Sequence, residues 1–293
     1  MEFQTVKWSV HPNPLRPGEK CIGLVTLSVP KRLNAVGPQM DLELDCLFDQ
    51  IKWRDEIKVV VMTGTDPGFC SGGDLKDEGG PLQVTGEGLG ITGPYRYLLE
   101  YFFNDILHVV MQRALRKLEN LPQVTIAAIN GIAVGVGLEM CTLCDIRIAS
   151  ERARMGEVAV AAGFLPECGG ARNLPKLVGI GRAMEMTLTG RMVEAKEALE
   201  MGLVEFVVPH ENLLEEAFQL AGRIALNPYL SVRQAKRLLK KYWDWNKTDE
   251  GFRDELESVL EITRTPDCRE GIRAFVERRR PNYTGPRFLD SAE

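Results

Sequence analysis

Two short runs of aliphatic and β-branched residues flank a helical repeat near the start of the chain. The runs are IGLVTLSV (Ile22–Val29) and KVVVMTG (Lys58–Gly64), and Gly or Pro residues bound them. Such runs are typical of buried strands. Between them, apolar residues recur at the three- and four-residue spacing of one helix face: Met40, Leu44, Leu47, Phe48 and Ile51. The pattern therefore predicts a strand, a helix and a second strand.

The same alternation continues through the middle of the chain. A polar, glycine-rich segment, Gly79–Gly93, precedes a long helical pattern, Tyr95–Leu121, which Pro122 ends. A strand in VTIAAING, a helix over Val134–Thr142 and a strand over Asp145–Ala149 then follow. Strands that alternate with helices indicate a mainly parallel sheet covered by helices, so the predicted fold class is α/β.

After Leu174 the pattern becomes helical. The predicted helices are Gly181–Leu188, Val193–Met201, Leu213–Ile224, Leu230–Tyr242, Asp249–Leu260 and Pro266–Arg279. No internal repeat or low-complexity linker separates the two parts. We expect an α/β core over residues 1–200 and a helical C-terminal region over residues 201–293.

Composition limits the classes of partner. The chain has 293 residues, of which 44% are apolar, and a net charge of -5. This charge argues against nucleic acid or an anionic membrane as the main partner, since both require a concentrated basic surface. The longest apolar runs, such as Val124–Ile129, fall short of the roughly 20 residues of a membrane span, and MEFQTVKW lacks the features of a signal peptide. We expect a soluble, cytoplasmic protein.

Cysteine and histidine usage directs attention to other chemistry. The seven cysteines form an odd set without a disulfide framework. Cys141 and Cys144 form a C-x-x-C pair inside an apolar run with no second pair, so we interpret them as buried residues rather than zinc ligands. None of the three histidines lies in a nucleophile setting. Catalysis is expected to depend on carboxylates and backbone groups, without a metal or redox cofactor.

Two glycine-rich corners follow predicted strands: GFCSGGDL (Gly68–Leu75) and NGIAVGVGLEM (Asn130–Met140). Each leads towards a helix, so backbone N–H groups near Gly72 and Gly73, and in the second corner, can face a ligand. Two such donors on one carbonyl oxygen would stabilise an enolate or tetrahedral oxyanion by roughly 3–4 kcal/mol each. Taken alone, either motif is better explained by tight turns and close packing. A dinucleotide site is disfavoured because the second corner lacks the third glycine of that motif.

Together the motifs carry a family resemblance. SVPKRLNAVG, GFCSGGDLK, AAINGIAVGVGLEM followed by CDIRIAS, and FLPECGGARNLPKLVG occur in the order and approximate spacing of the crotonase superfamily, the enoyl-CoA hydratase/isomerase family. The resemblance covers about Ile22–Val208, and AFVERRRPNY resembles the closing segment of the family. It implies a crotonase-like spiral of ββα units with a helical C-terminal trimerisation region, assembled as a homotrimer or a dimer of trimers.

The resemblance assigns the two backbone donors. The first oxyanion donor falls on the N–H of Gly73, where many relatives have Ala. The second falls on Val136, where relatives commonly have the middle Gly of GGG. A backbone donor tolerates this change, but the valine side chain must point away from the thioester.

The acids depart from the family pattern. Glu139 matches the first catalytic glutamate of the hydratases, whereas the second position falls on Ala159, which cannot transfer a proton. Glu167 lies where dienoyl-CoA isomerases carry a proton-transfer aspartate, and it is favoured over Glu157, which is two positions away from the motif. The simpler interpretations are a buried Glu139 satisfied by backbone donors, and a Glu167 that stabilises a helix N-terminus.

The resemblance also implies a coenzyme A site. It places the loop residues Ser71, Gly72, Asp74 and Leu75 on the CoA side. Lys31, Arg32 and Lys76 are basic residues consistent with such a site. Arg278 lies where relatives often have a lysine that meets the CoA phosphates, and Phe275 resembles the aromatic residue that lies against the nucleotide. A solvated basic face is the simpler interpretation of such residues, and helix capping that of Asp74. Gly79–Gly93, with the aromatic residues that follow it (Tyr95, Tyr97, Tyr101, Phe102 and Phe103), is expected to cover a roomy acyl pocket.

The implied function is an enoyl-CoA hydratase-like enzyme acting on an acyl-CoA substrate. Glu139 and Glu167 would manage the protons while Gly73 and Val136 hold the thioester oxygen. The alternatives are a double-bond isomerase, a CoA-thioester or ring hydrolase, and a weakly catalytic acyl-CoA-binding protein, which Ala159 favours.

Overall fold

We analysed a computed structural model of the chain, which describes residues 3–74, 109–162, 165–243, 265–277 and 279–283. Ten strands are present in this part of the chain. They are β1 (Val6–Asn13), β2 (Arg16–Leu27), β3 (Val59–Gly64), β4 (Gly68–Cys70), β5 (Val124–Ile129), β6 (Ile132–Val134), β7 (Ile146–Ser150), β8 (Arg154–Gly156), β9 (Val193–Glu194) and β10 (Phe206–Val208).

The strands form two sheets. The larger has the order β1-β2-β3-β5-β7-β10, and the smaller has the order β4-β6-β8-β9. In the larger sheet β1 is antiparallel to β2 and the other neighbours are parallel. In the smaller sheet β4, β6 and β8 are parallel, and β9 is antiparallel to β8. The smaller sheet carries the glycine-rich corners, because β4 and β6 end at them.

Helices occupy most of the remaining described chain. They are α1 (Pro38–Lys52), α2 (109–119), α3 (Val136–Leu143), α4 (Gly170–Val178), α5 (Ile180–Thr189), α6 (Ala195–Glu200), α7 (Leu213–Ala225), α8 (Tyr229–Lys241) and α9 (Pro266–Val276). Short 3-10 turns cover Pro30–Arg32, Ala159–Ala162 and His210–Asn212. None of the described helices is both long enough and apolar enough to cross a membrane.

β3 is buried on both faces of the larger sheet, which explains the unbroken apolar run at its start. Val60 and Met62 belong to the core that includes Leu44 and Phe48 of α1. Val59 and Val61 belong to the opposite cluster, which also contains residues of α7, among them Leu213 and Ala217. Alternate side chains of a strand point to opposite faces, so a strand covered on both sides loses its polar positions.

Helix α8 is attached to the sheet by buried charges. Lys236 and Lys240, one helical turn apart, place their Nζ atoms 2.6 Å and 2.8 Å from the carboxylate of Asp145. Asp145 also accepts hydrogen bonds from the backbone N–H and hydroxyl of Thr125 in β5. This arrangement fixes α8 against the start of β5 and the end of α3.

The predicted α/β class with a mainly parallel sheet is confirmed. The central predicted strands lie in β2, β3, β5 and β7, and α1 covers the predicted helical repeat. The predicted helix Val134–Thr142 begins later, at Val136, because Val134 pairs with Gly156 of β8. Similarly, Val193 and Glu194 form β9 and the helix begins at Ala195.

Some predictions concern residues that the structure does not describe, and one stays untested. The helix Asp249–Leu260, the segment Gly79–Gly93 and the aromatic residues between Tyr95 and Phe103 are outside the described residues. The division near residue 200 stays a prediction. On its C-terminal side, β10 joins the larger sheet and α7 packs against that sheet.

Candidate active site

The site lies where the three parallel strands of the smaller sheet end. After β4 come Ser71, Gly72 and Gly73, after β6 come Gly135 and Val136, and after β8 comes Glu157. Parallel neighbours end at the same edge of a sheet and lie about 4.8 Å apart. Both glycine corners and one glutamate therefore meet at one edge.

The first corner aims one N–H group outward. The N–H of Val36 donates to the carbonyl of Gly72 at 2.9 Å, and the N–H of Asp74 donates to the carbonyl of Val36 at 2.8 Å. Gly73 lies between these bonds, and its own N–H has no hydrogen-bond acceptor among the described residues. Gly72 has a φ of 104°, which side chains disfavour. The loop is thus fixed by its neighbours and leaves one donor for a ligand.

The second corner presents a matching donor. The N–H of Gly135 donates to the carbonyl of Gly156 at 2.9 Å, and Val136 follows as the first residue of α3. The first N–H groups of a helix have no intrahelical partner, and that of Val136 has none elsewhere in the described chain. The side chain of Val136 is buried in the core, so it leaves the oxygen-binding space open. Gly137 has no room for a Cβ because the carbonyl of Cys70 lies against it.

All the donors to the Glu139 carboxylate that come from described residues are backbone N–H groups. Its Oε2 accepts hydrogen bonds from the N–H groups of Cys168 at 2.5 Å and Gly170 at 2.8 Å, and its Oε1 accepts one from Glu167 at 3.4 Å. The side chain is buried, with 2% exposed. Burial raises the pKa of Glu139, and the three N–H groups oppose this shift. The result is an oriented carboxylate that is more basic than an exposed glutamate.

Glu157 is the second buried glutamate at this edge, with 1% of its surface exposed. Neither carboxylate oxygen has a hydrogen bond of normal geometry to a described residue. Burial, followed by the charge of Glu139, raises the pKa of Glu157 to about 8, and the nearby N–H of Ala159 opposes these effects less strongly. Glu157 is therefore mainly a neutral carboxylic acid at pH 7.

Glu167 and Asp41 form a second electrostatic pair near Glu139. The carbonyl of Glu167 accepts a 2.9 Å hydrogen bond from the side chain of Gln112, and the residue is half-buried. Burial, and then the charge of Glu167, raise the pKa of Asp41 to about 8. Asp41 was not predicted, although it shares a buried face of α1 with Leu44 and Phe48. A charged residue on such a face is the signal that could have revealed it.

The charges of all four carboxyl groups described above act on one thiol, that of Cys168. Burial raises the pKa of Cys168, and Glu139, Glu167, Asp41 and Glu157 raise it further. The effect of these carboxyl groups on the thiol is electrostatic. In the part of the chain that the structure describes, no three such side chains are close enough to hold a metal ion.

The predicted CoA residues are only partly described. Arg32 is paired with Asp74, with Nη1 and Oδ2 2.5 Å apart. The hydroxyl of Ser71 donates to the carbonyl of Arg32 at 3.0 Å, and Lys31 is exposed in the adjoining turn. These residues therefore border the first corner. The backbone of Phe275 lies in α9 but its side chain is not described, and three predicted residues are outside the described chain: Leu75, Lys76 and Arg278.

Comparison with known proteins identifies a family to which the chain is similar. The family model for enoyl-CoA hydratase/isomerase matches residues 18–86 and 94–286. The 1,2-epoxyphenylacetyl-CoA isomerase of Escherichia coli is 32% identical over 267 residues, covering 91% of this chain and 96% of the relative. The short-chain-enoyl-CoA hydratase of Clostridium acetobutylicum is 31% identical over 269 residues, with 92% and 96% covered.

A solved structure agrees in fold. The enoyl-CoA hydratase of Bacillus anthracis superposes with a TM-score of 0.81 at 32% identity, covering 97% of this chain and all of the other. The predicted crotonase-like fold is thereby confirmed. With both corners and Glu139 placed as the sequence motifs require, the chain belongs to the enoyl-CoA hydratase/isomerase family of the crotonase superfamily.

Proposed function

We propose that the protein is an enoyl-CoA hydratase-like enzyme that adds water to the double bond of a 2-enoyl-CoA. One observation carries this proposal: the oriented carboxylate of Glu139 lies one helical turn beyond the backbone N–H of Val136, and the N–H of Gly73 lies on the same edge, and neither N–H has an acceptor among the described residues. A base next to an oxyanion hole is the arrangement that enolate chemistry requires.

The two N–H groups would bind the thioester oxygen. Donation from Gly73 and Val136 draws electron density from the double bond and makes the β-carbon electrophilic. As water adds there, the enolate oxygen gains charge, and each donor stabilises that charge by about 3–4 kcal/mol. The rigid corners contribute most because they need no rearrangement when the charge develops.

Glu139 would accept the proton of the attacking water. Its three backbone donors keep the carboxylate in one orientation, while burial raises its pKa towards the pH at which it works. A general base is most effective when its pKa lies near the working pH. A second carboxyl must protonate the α-carbon, and Glu167 and Glu157 are the two nearby acids.

A double-bond isomerase is the second candidate, and Ala159 is the observation that favours it. Without a glutamate at this position, the usual pair that holds the water is incomplete. Glu167 is the proposed transfer acid of this reaction. One similar protein is named 1,2-epoxyphenylacetyl-CoA isomerase.

We also propose how the protein binds CoA and how it assembles. The CoA moiety would be bound through Lys31 and the loop Ser71–Lys76, and through Phe275 and Arg278 of a neighbouring subunit. We propose a cytoplasmic homotrimer or dimer of trimers that requires no metal or redox cofactor. Light scattering of the purified protein tests the assembly.

The function is tested by incubating linear, branched and cyclic enoyl-CoA thioesters with the protein in ¹⁸O-labelled water. Mass spectrometry of a hydratase reaction finds a product heavier by one labelled water, and the Glu139→Gln variant forms none. An isomeric enoyl-CoA without label supports the isomerase, and unlabelled free CoA with a labelled acid supports the hydrolase. A panel that binds and stays unchanged contradicts the enzymatic proposal and favours an acyl-CoA-binding protein.

A further inference from the structure

Glu157 is a buried carboxyl that the hydrogen bonds of the fold do not account for. Its two oxygen atoms have no hydrogen bond of normal geometry to a described residue, although the residue is almost completely buried. Glu43, which is also buried, accepts hydrogen bonds from the backbone N–H groups of residues 4–6, from the hydroxyl of Thr5 and from the amide of Gln39. A structural glutamate is satisfied in this way, whereas an unsatisfied buried carboxyl costs free energy and needs another explanation.

The position of Glu157 supplies that explanation. It directly follows β8, whose last residue, Gly156, accepts the hydrogen bond that shapes the second corner. Its charge also acts on Glu139, the base of the proposed reaction. Glu157 thus lies beside both the base and the corner that carries the Val136 donor.

On the basis of the proposed function, we propose that Glu157 is the catalytic acid that protonates the α-carbon of the enolate. It would replace the glutamate that hydratases place two residues later, where this chain has Ala159. Ala159 begins the 3-10 turn that follows β8, whereas Glu157 lies directly at the end of the strand. The acid would therefore act from the end of the strand instead of from the turn.

The proton transfers balance without a further reactant. Glu139 removes a proton from water as the new C–O bond forms at the β-carbon. The O–H bond of Glu157 then breaks, and the enolate electron pair forms the C–H bond at the α-carbon. Glu139 is left protonated and Glu157 ionised, and transfer of one proton between these neighbours restores the starting state. The same pair serves an isomerase if Glu139 removes a carbon-bound proton instead.

Two carboxyls with different tasks need different protonation states at one pH. Glu139 receives three backbone donors, which favour its ionised form, whereas Glu157 receives none of normal geometry. The charged or titratable groups that face Glu157 are Glu139 of α3 and Cys168 before α4. Glu167 differs because it is half-buried and acts on Asp41 of α1.

The test compares Glu157→Gln with Glu167→Gln in the full-length protein. Besides turnover of an accepted enoyl-CoA, it measures the exchange of α-hydrogens of a saturated acyl-CoA in D₂O. We expect Glu157→Gln to lower kcat and the exchange rate about 100- to 10,000-fold with KM changed little, while the control variant Glu185→Gln, at an exposed ion pair of α5, retains both. We also expect the kcat of the wild type to fall above about pH 8, and this decline to be absent from the residual activity of Glu157→Gln.

The other outcomes separate this proposal from the one on which it rests. If the wild type turns over a thioester and Glu157→Gln does so equally well, only the role of Glu157 is overturned. Loss of activity in Glu167→Gln alone overturns it in favour of Glu167. A wild type that neither converts nor exchanges any thioester contradicts both proposals. Circular dichroism and acyl-CoA binding show whether an inactive variant is still folded.

Discussion

The N–H of Gly170 donates a 2.8 Å hydrogen bond to Oε2 of Glu139, at a point where the two residues are in close contact. A Cβ at residue 170 would lie 2.9 Å from Cγ and 3.2 Å from Oε2 of Glu139. The start of α4 therefore orients the carboxylate through its backbone, and only glycine leaves room for it.

Replacing Gly170 by alanine should displace the Glu139 carboxylate. Because misplacement of a catalytic group by about 1 Å can lower the rate about 100-fold, we expect Gly170→Ala to reduce kcat by a factor of about 10 to 100. Gly181→Ala, in α5, is the control, since a Cβ there has no neighbour within 4 Å. Steady-state kinetics of both variants test this, and equal activity would show that the contact at Gly170 is unimportant.

The adjacent glycines of the first corner should respond differently to the same substitution. Gly73 has open space where a Cβ would lie, so Gly73→Ala should change kcat/KM by no more than about twofold. Gly72 has a φ of 104°, and a Cβ there would lie 3.2 Å from the carbonyl oxygen of Val134. Left-handed backbone costs a non-glycine residue about 1–2 kcal/mol, so Gly72→Ala should lower both stability and kcat/KM. A larger loss of kcat/KM in Gly73→Ala than in Gly72→Ala would contradict the assignment of the Gly73 N–H as an oxyanion donor.

Asp41 should make stability depend on pH. Its pKa is about 8 in the folded protein, through burial and the charge of Glu167, against about 3.9 for an unfolded aspartate. Between these values the unfolded chain loses a proton that the folded protein keeps, so this residue lowers the free energy of unfolding as pH rises. The variant Asp41→Asn lacks this titration. Its free energy of unfolding should therefore rise relative to that of the wild type between about pH 4 and pH 8. A difference independent of pH, measured in urea, would contradict this.

The attachment of α8 should depend mainly on Lys236. Burial alone would raise the pKa of Asp145, but the charges of Lys236 and Lys240 outweigh it and lower the pKa. The side chain of Lys236 is 10% exposed and that of Lys240 is 29% exposed. Breaking a buried ion pair costs about 3–5 kcal/mol when the remaining charge has no partner. Because Lys240 still pairs with Asp145 in Lys236→Met, we expect a loss of stability below this range, and a smaller loss in Lys240→Met. Urea denaturation of both variants tests this order. A larger loss of stability in Lys240→Met than in Lys236→Met would contradict it.

The fold class could be predicted from the sequence, and the structure places the predicted corners and Glu139 close to one edge of the smaller sheet, while their catalytic roles stay predictions. Each corner follows a strand and precedes a helical pattern, so its chemistry depends on residues that are close in sequence. Glu139 lies on the helix that the second corner begins. Local spacing and the family motifs therefore predicted both its identity and its place.

The surroundings of the carboxyl groups could not be predicted in this way. β8 has only three residues, too few to show a period, and its pairing with β6 decides that Glu157 lies beside the second corner. The donors to Glu139 come from residues 28–31 positions away, and the Arg32–Asp74 pair joins residues 42 positions apart. The sequence offered Glu157 only as the less favoured of two acids, because its burial and its lack of hydrogen-bond partners of normal geometry among the described residues are properties of the folded chain.

The most direct test of the central claim is the rate of enoyl-CoA conversion by Glu139→Gln. The amide preserves the size of the side chain but cannot accept the proton, so we expect kcat to fall about a thousandfold or more while acyl-CoA affinity and folding stay close to those of the wild type. Conversion at the wild-type rate would show that Glu139 is not the base, and would contradict the mechanism built on it.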